Sequence, residues 1–309
     1  MLTFLRNELM IQTVAMKKSL FIVLAFALPA LALLLGGCST ASLVYRNADW
    51  YLQHKINGYT SFNAQQKKLI HQDVTDYMQW HRRNALPEYI IFLQNLNGTV
   101  QYDGQLKAGD IALLRAHLLD LYQRSLAPAV RPSAELLSML DSRQLQELGS
   151  NLAEENQQQL KEQLEISRDA YLNKRADKTV NFLEWLAGDL STQQEQKVRE
   201  MSRHLPVVSD IYIRHRQENQ SRLIALLNSH AGTEKISAFL SAWIFTPEQS
   251  RSPQQQHAME SFEDATDEMI ARIHGMLTAK QKDHIHKMIS SYIDAMRAEI
   301  DKSRQGSGK

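Results

Sequence analysis

"LTAKQKDHIHKMISSYIDAMRAEI", residues 277–300, reads as one amphipathic helix with its own start signal. Ile285, Met288, Ile289, Tyr292, Ile293, Met296 and Ile300 recur at steps of three and four residues, the spacing of a single apolar stripe on a helix. Just before the stripe, Thr278 can accept a hydrogen bond from the N–H of Gln281, and the Gln281 side chain can reach back to the N–H of Thr278. That reciprocal arrangement is a capping box, and it satisfies two of the amide groups that a helix start leaves without partners.

The same pattern of an apolar residue, a capping residue and a Gln three positions later occurs at Asn63–Gln66, Asp141–Gln144, Ser191–Gln194 and Thr246–Gln249. At Thr246 the next residue is Pro247, which suits the first helical position. Apolar residues follow at helical spacing: Ile70, Val74, Tyr77 and His81 after the first start, and Val198, Met201 and Leu205 after Ser191. Pro206 bends or restarts that helix, and Ile211, Tyr212, Leu223, Leu226 and Leu227 continue the pattern. The starts lie 78, 50, 55 and 32 residues apart, so they do not mark a solenoid of fixed period. With few Gly and Pro residues and no alternating strand pattern, the predicted fold is all-α, a multi-helix bundle. It is expected over residues 45–303, either as one body or as two lobes, 45–139 and 140–303, with residues 304–309 as a disordered tail.

The first 37 residues read differently. Met16-Lys17-Lys18 is basic, and residues 21–35 are free of charge and apolar apart from Pro29. Leu35-Gly36-Gly37 then precedes Cys38, the single cysteine of the 309 residues. A basic region, a short apolar run and small residues form the layout of a secretory signal, and about 15 apolar residues are too few for a typical span. Leu-Gly-Gly-Cys resembles the lipobox of bacterial lipoproteins. That resemblance implies lipidation of the Cys38 sulfur, cleavage after Gly37 and a lipidated tether over residues 38–44. Met16 is an alternative start. In such lipoproteins the residue after the cysteine sorts between membranes, and Ser39 implies the outer membrane with the body facing the periplasm. A chain beginning at Cys38 would carry 32 basic and 33 acidic side chains, with no basic patch to attract nucleic acid.

A second resemblance covers residues 43–96. Tyr45, Asp49-Trp50, the helix start with Gln66, Trp80-His81-Arg82, Leu86-Pro87 and Tyr89 resemble a proteobacterial lipoprotein family of unknown function. That family lends no activity. The Gln-containing helix starts are more loosely similar to the LTxxQ-motif periplasmic proteins of the Spy and CpxP group, which are small helical stress chaperones and sensors.

The candidate site is the stretch around residues 80–88, expected to be a helix–helix corner because Pro87 restarts a helix. Trp50 and Trp80 can pack there, and Arg82 can pair with Asp49 or Glu88 to fix the corner. As a ligand site, Arg82 and Arg83 would hold a small anionic group. As a catalytic site, His81 would be a general base oriented by Glu88 or Asp49. Elsewhere, Arg214-His215-Arg216 reads as a solvated helix face. The polar run at residues 154–159 reads as projecting into solvent or lining a wet groove. His284 and His286 point to different faces, so no metal site is expected, and no cofactor motif occurs. The expected function is a non-catalytic binding, adaptor or chaperone-like lipoprotein, held to the membrane through Cys38 and meeting a periplasmic protein partner. The alternative is an enzyme or small anionic-ligand binder.

Overall fold

A computed structural model describes residue 45, residues 47–164 and residues 166–306. Cys38 and the signal-like segment lie outside the described residues. The described chain is all-α, with no strand among those residues. The helices are α1 (Ala48–Asn57), α2 (Ala64–Trp80), α3 (Leu86–Gln101), α4 (Ala108–Ser138), α5 (Ser142–Leu164), α6 (Arg168–Ala187), α7 (Thr192–His204), α8 (Ser209–Asn228), α9 (Thr233–Phe245), α10 (Pro253–Met276) and α11 (Ala279–Gly306). No helix of the described residues is long and apolar enough to cross a membrane.

One core runs from Tyr45 to Ile300 and draws on helices from both sides of residue 139. α11 packs along α3, α9 and α10 pack on α4, and α5 packs on α8. The stripe predicted after Thr278 is buried: Ile285, Ile289, Tyr292, Ile293, Met296 and Ile300 are all in the core. α11 continues to Gly306, so residues 304–306, expected in the tail, extend it instead. No helix breaker intervenes before Gly306, and Lys302 suits the negative end of the helix dipole.

Four of the five predicted capping boxes form, and they form in two interlocked pairs. Asn63 and Gln66 cap α2, with both bonds at 2.9 Å. Asp141 and Gln144 cap α5, at 3.1 and 2.8 Å. The two Gln side chains then bond to each other: Gln66 Nε2 donates to Gln144 Oε1 at 3.0 Å, and Gln144 Nε2 donates to Gln66 Oε1 at 2.7 Å. Each amide also donates to a carbonyl on the far side, Gln66 to Met139 O and Gln144 to Ser61 O. Gln194 of α7 and Gln281 of α11 repeat the arrangement, at 2.9 and 3.1 Å between the side chains. They donate to Met276 O and Asp189 O respectively. This explains why the third position is Gln rather than Glu. The oxygen completes the helix's own box, while the NH₂ supplies two donors to the neighbouring helix start, which a carboxylate lacks.

The box predicted at Thr246 does not form. Thr246 lies outside the extended region, at φ −134° and ψ 51°, and its hydroxyl donates back to Ala242 O at the end of α9 instead of accepting from an N–H of the next start. Residues Pro247–Ser250 make one 3₁₀ turn instead. The next helix starts later, where Ser252 and Gln255 form a box with Pro253 in the first turn. Two proline-initiated starts compete within six residues, and the one with the longer helical run behind it prevails.

Pro206 restarts the helix rather than bending it, with α7 ending at His204 and α8 beginning at Ser209. Arg175, 2% exposed, donates to Arg203 O, Leu205 O and Pro206 O and so satisfies the carbonyls at that terminus. α6 ends at Gly188, whose φ of +82° a side chain would strain and whose Cβ position lies 3.7 Å from the His284 ring.

Candidate functional site

α2 and α3 do not meet at a corner. Residues His81–Ala85 form a π-helical turn that joins them into one continuous helix. Pro87 has no N–H and would crowd the carbonyl four residues back in an ordinary α-helix. The wider turn, in which the Leu86 N–H bonds to His81 O, relieves that crowding and lets the helix continue through the proline.

The widening turns His81 inward. It is fully buried and its ring lies 5.8 Å from Tyr45, 5.7 Å from Tyr77 and 5.5 Å from Tyr89 between centroids. Burial lowers the His81 pKa to about 3, with the neighbouring Arg82 adding to the effect, so the imidazole is neutral. Burial pushes the Tyr45 hydroxyl well above its usual range, so it keeps its proton. The 2.9 Å hydrogen bond between Tyr45 Oη and His81 Nδ1 therefore joins two neutral groups. Tyr45 is itself 0% exposed, and this bond holds the beginning of the described chain against the centre of the α2–α3 helix.

The other residues of the expected corner separate. Arg82 lies over the Tyr45 ring, 5.6 Å from its centre, in a cation–π contact. Among the described residues it makes no ion pair with Asp49 or Glu88. Glu88 pairs instead with Arg124 on α4, which also holds Asp120. Asp49 sits half-buried in the first turn of α1, and Arg83 is exposed. Trp80 packs half-buried against the core, 6.0 Å from Tyr77. Trp50 does not join it: it is 65% exposed and stacks on His54 of its own helix. The acid–base pairing of His81 with Glu88 or Asp49 thus has no geometry here, since the histidine's partner is a phenol and Glu88 faces another helix.

Two open clefts lie elsewhere, and His81, Arg82 and Glu88 line neither. One, of about 980 Å³, lies beside the first Gln pair, bounded by Thr60, Ser61, Phe62, Lys67, Glu147 and Asn151 among others. The loop at its edge is stitched to α5. Ser61 N–H and Thr60 Oγ1–H both donate to Glu147, which holds that carboxyl below its usual range, and Asn151 donates to Tyr59 O. The other cleft, about 1220 Å³, runs beside Met201 and Met276, near the second Gln pair. Among the described residues no group of His, Cys, Asp and Glu is placed to hold a metal. His284 lies on Gly188 while His286 bonds Asn97, so the two histidines do face apart.

The most polar buried place is one that sequence reasoning missed. Where α5 crosses α8, Asn156, Gln159, Arg216, Asn219 and Gln220 are all buried, and Asn156 Nδ2 donates to Gln220 Oε1 at 2.6 Å. Arg216 is 1% exposed, so it does not belong to a solvated face. His215 is half-buried and bonds Ser250 Oγ at 2.6 Å, leaving Arg214 alone of the three in solvent. Of the polar run at residues 154–159, Asn156 and Gln159 turn inward, while Glu154, Gln157 and Gln158 are exposed. The available signal was spacing: residues 216, 219 and 220 continue the Leu223–Leu227 stripe at helical steps, but with polar side chains. Nε and Nη2 of Arg216 have no hydrogen-bond partner among the described residues, and burial lowers its pKa to about 10, partly offset by Glu155. Arg216→Met keeps the length and removes those desolvated donors. It is expected to leave the melting temperature unchanged or raise it, because a buried guanidinium with unpartnered N–H groups carries a desolvation cost that an apolar chain of similar volume does not. A drop of many degrees in a thermal melt would show that the guanidinium holds the seam.

The chain belongs to a family of unknown function, DUF6279, whose model matches residues 58–249. The match takes in the π-turn and the α5–α8 crossing and begins after Tyr45 and Trp50. No curated protein and no solved structure matches the chain.

Proposed function

We propose that this member of the DUF6279 family is a lipoprotein anchored in the outer membrane through Cys38, and that its helical body is a non-catalytic adaptor in the periplasm. The observation that carries the reading is the docking of Tyr45 on His81. Tyr45 is seven residues beyond Cys38, and seven residues span at most roughly 25 Å. A lipid on Cys38 would therefore hold the rigid body within that distance of the bilayer. Such a short tether suits a protein that meets partners at the membrane.

Two further points favour an adaptor over the alternatives. The residues available for acid–base work are engaged structurally, His81 by Tyr45 and Glu88 by Arg124. The Gln-containing helix starts that resemble those of Spy and CpxP join helix starts to one another, which favours an adaptor over a client-binding chaperone. The large exposed apolar side chains, such as Leu113, Leu118, Phe182 and Ile270, are distributed over several helices.

Cys38→Ser tests the anchor. The variant is expected to accumulate as precursor or unanchored protein, with its share in the outer-membrane fraction falling at least tenfold. Unchanged fractionation would refute the reading.

A further inference from the structure

α1 buries Ala48, Leu52 and Ile56 against α2, and no other helix packs extensively on it. Its outer side carries Trp50, His54 and Lys55 in solvent, with Tyr51 half-buried beneath the Lys55 ammonium, 5.8 Å from the ring centre. Trp50 is the most exposed aromatic residue of the described chain, at 65%. The other tryptophans are packed: Trp80 and Trp185 are half-buried and Trp243 is 8% exposed. The His54 ring, 5.3 Å away and within 6° of parallel, backs the indole on one side and holds it as a flat plate facing outward.

We propose that this outer side of α1 is a membrane-docking face, with Trp50 and Tyr51 at the level of the lipid headgroups. The inference rests on the anchoring of Cys38 proposed above. Trp and Tyr, with an apolar ring and one polar atom, are the side chains that favour the headgroup level, and a Lys beside them can extend its ammonium to water. Position selects the lipid surface over another occupant. α1 is the first described helix, it begins three residues after Tyr45, and at most roughly 25 Å of chain separates Tyr45 from Cys38. A lone Trp holds a bilayer weakly, but a tether that short keeps it at a high effective concentration near the surface, so weak affinity suffices. Charge contributes little. Of the basic residues on α1, α2 and the π-turn, Lys55, Lys67, Lys68, Arg82 and Arg83, three are offset by Asp49, Asp73 and Asp76, and the excess of two is screened by salt. Docking is therefore driven by the rings and persists in high salt.

The test uses the lipidated protein purified from cells and inserted into phosphatidylethanolamine–phosphatidylglycerol vesicles, with a fraction of the lipid brominated near the headgroup. Bromolipid is expected to quench part of the tryptophan emission, in low and high salt alike. Trp50→Gln should lower that quenching several-fold, and Trp80→Phe should leave it intact. If Trp50→Gln quenches like the parent, another face meets the lipid and the proposal fails. If there is no quenching although the protein floats with the vesicles, the anchor stands and the docking face does not. If Trp50 is shielded from aqueous iodide yet unquenched by bromolipid, protein covers it, a second copy or a partner, and the proposal again fails. Protein that does not float with the vesicles refutes the anchor itself.

Discussion

Gln144→Glu is expected to lower the unfolding free energy by about 2–5 kcal/mol, one of the largest effects of any isosteric change in this chain. The substitution keeps the oxygen that accepts from the Asp141 N–H, so α5 retains its own cap. It removes the NH₂ that donates to Ser61 O and to Gln66 Oε1. Both acceptors then face a carboxylate in a place where Gln66 and Gln144 are 1% and 2% exposed. The loss should be larger at neutral than at acidic pH, where the new carboxyl carries a proton and can donate. Gln194→Glu makes the same change in the second pair, but Gln194 is half-buried and water can replace part of what is lost, so the effect there should be smaller. Denaturant titrations of the two variants beside the parent give the comparison. If Gln144→Glu unfolds at the parental midpoint, the paired boxes do not hold α2 to α5.

The second large effect is a dependence on acid. His81 has a pKa near 3 in the folded chain and an ordinary value of 6.5. Below pH 6.5 the unfolded chain takes up a proton that the folded chain refuses. The neutral ring's contribution is therefore fully present above that pH and is lost as pH falls toward 3. Over the whole window the loss is on the order of 4 kcal/mol. Asp73 works in the opposite direction. Burial and the nearby Glu135 and Asp76 raise it from 3.8 to about 6, so its share of stability is present below 3.8 and is lost as pH rises through 6. His215, also lowered, adds to the His81 trend, though it is only half-buried. His81→Gln isolates the one term. Its amide can accept from Tyr45 and cannot titrate, while Asp73 and His215 are unchanged. Unfolding midpoints between pH 6.5 and 3 should fall less steeply for the variant than for the parent. Parallel curves would mean that His81 is not sealed among the tyrosines.

The helices were legible because both of their signals are local. An apolar stripe at three- and four-residue steps and a capping residue with Gln three positions on need no knowledge of the partner, and four starts were placed correctly from these alone. What the Gln does across the interface was not legible. The same four letters would cap an isolated helix, and the pairing of Gln66 with Gln144 depends on two chain segments meeting 78 residues apart. Pro87 misled for a related reason. A proline ends a helix only if the turn before it keeps its α-helical width, and the π-turn removes that condition. Arg216 misled because a basic residue in a polar run, between His215 and Gln217, reads as solvated unless its register with Leu223 and Leu227 is counted first. Of the expected corner, the inward His81 with Arg82 beside it and Trp80 against the core cohere, whereas Trp50, Asp49 and Glu88 take other roles. Nothing in the spacing could distinguish a tryptophan packed at a corner from one left on the outer side of α1.

The proposal that the body is held at a membrane through Cys38 meets its most direct test in the mass of the first tryptic peptide of the mature protein. Purified from the membrane fraction, that peptide should span residues 38–46, begin at Cys38, and carry the added mass of a diacylglyceryl group on sulfur with a further acyl chain on the amino group. A peptide that begins upstream of Cys38, or a Cys38 recovered as a free thiol, would contradict the account.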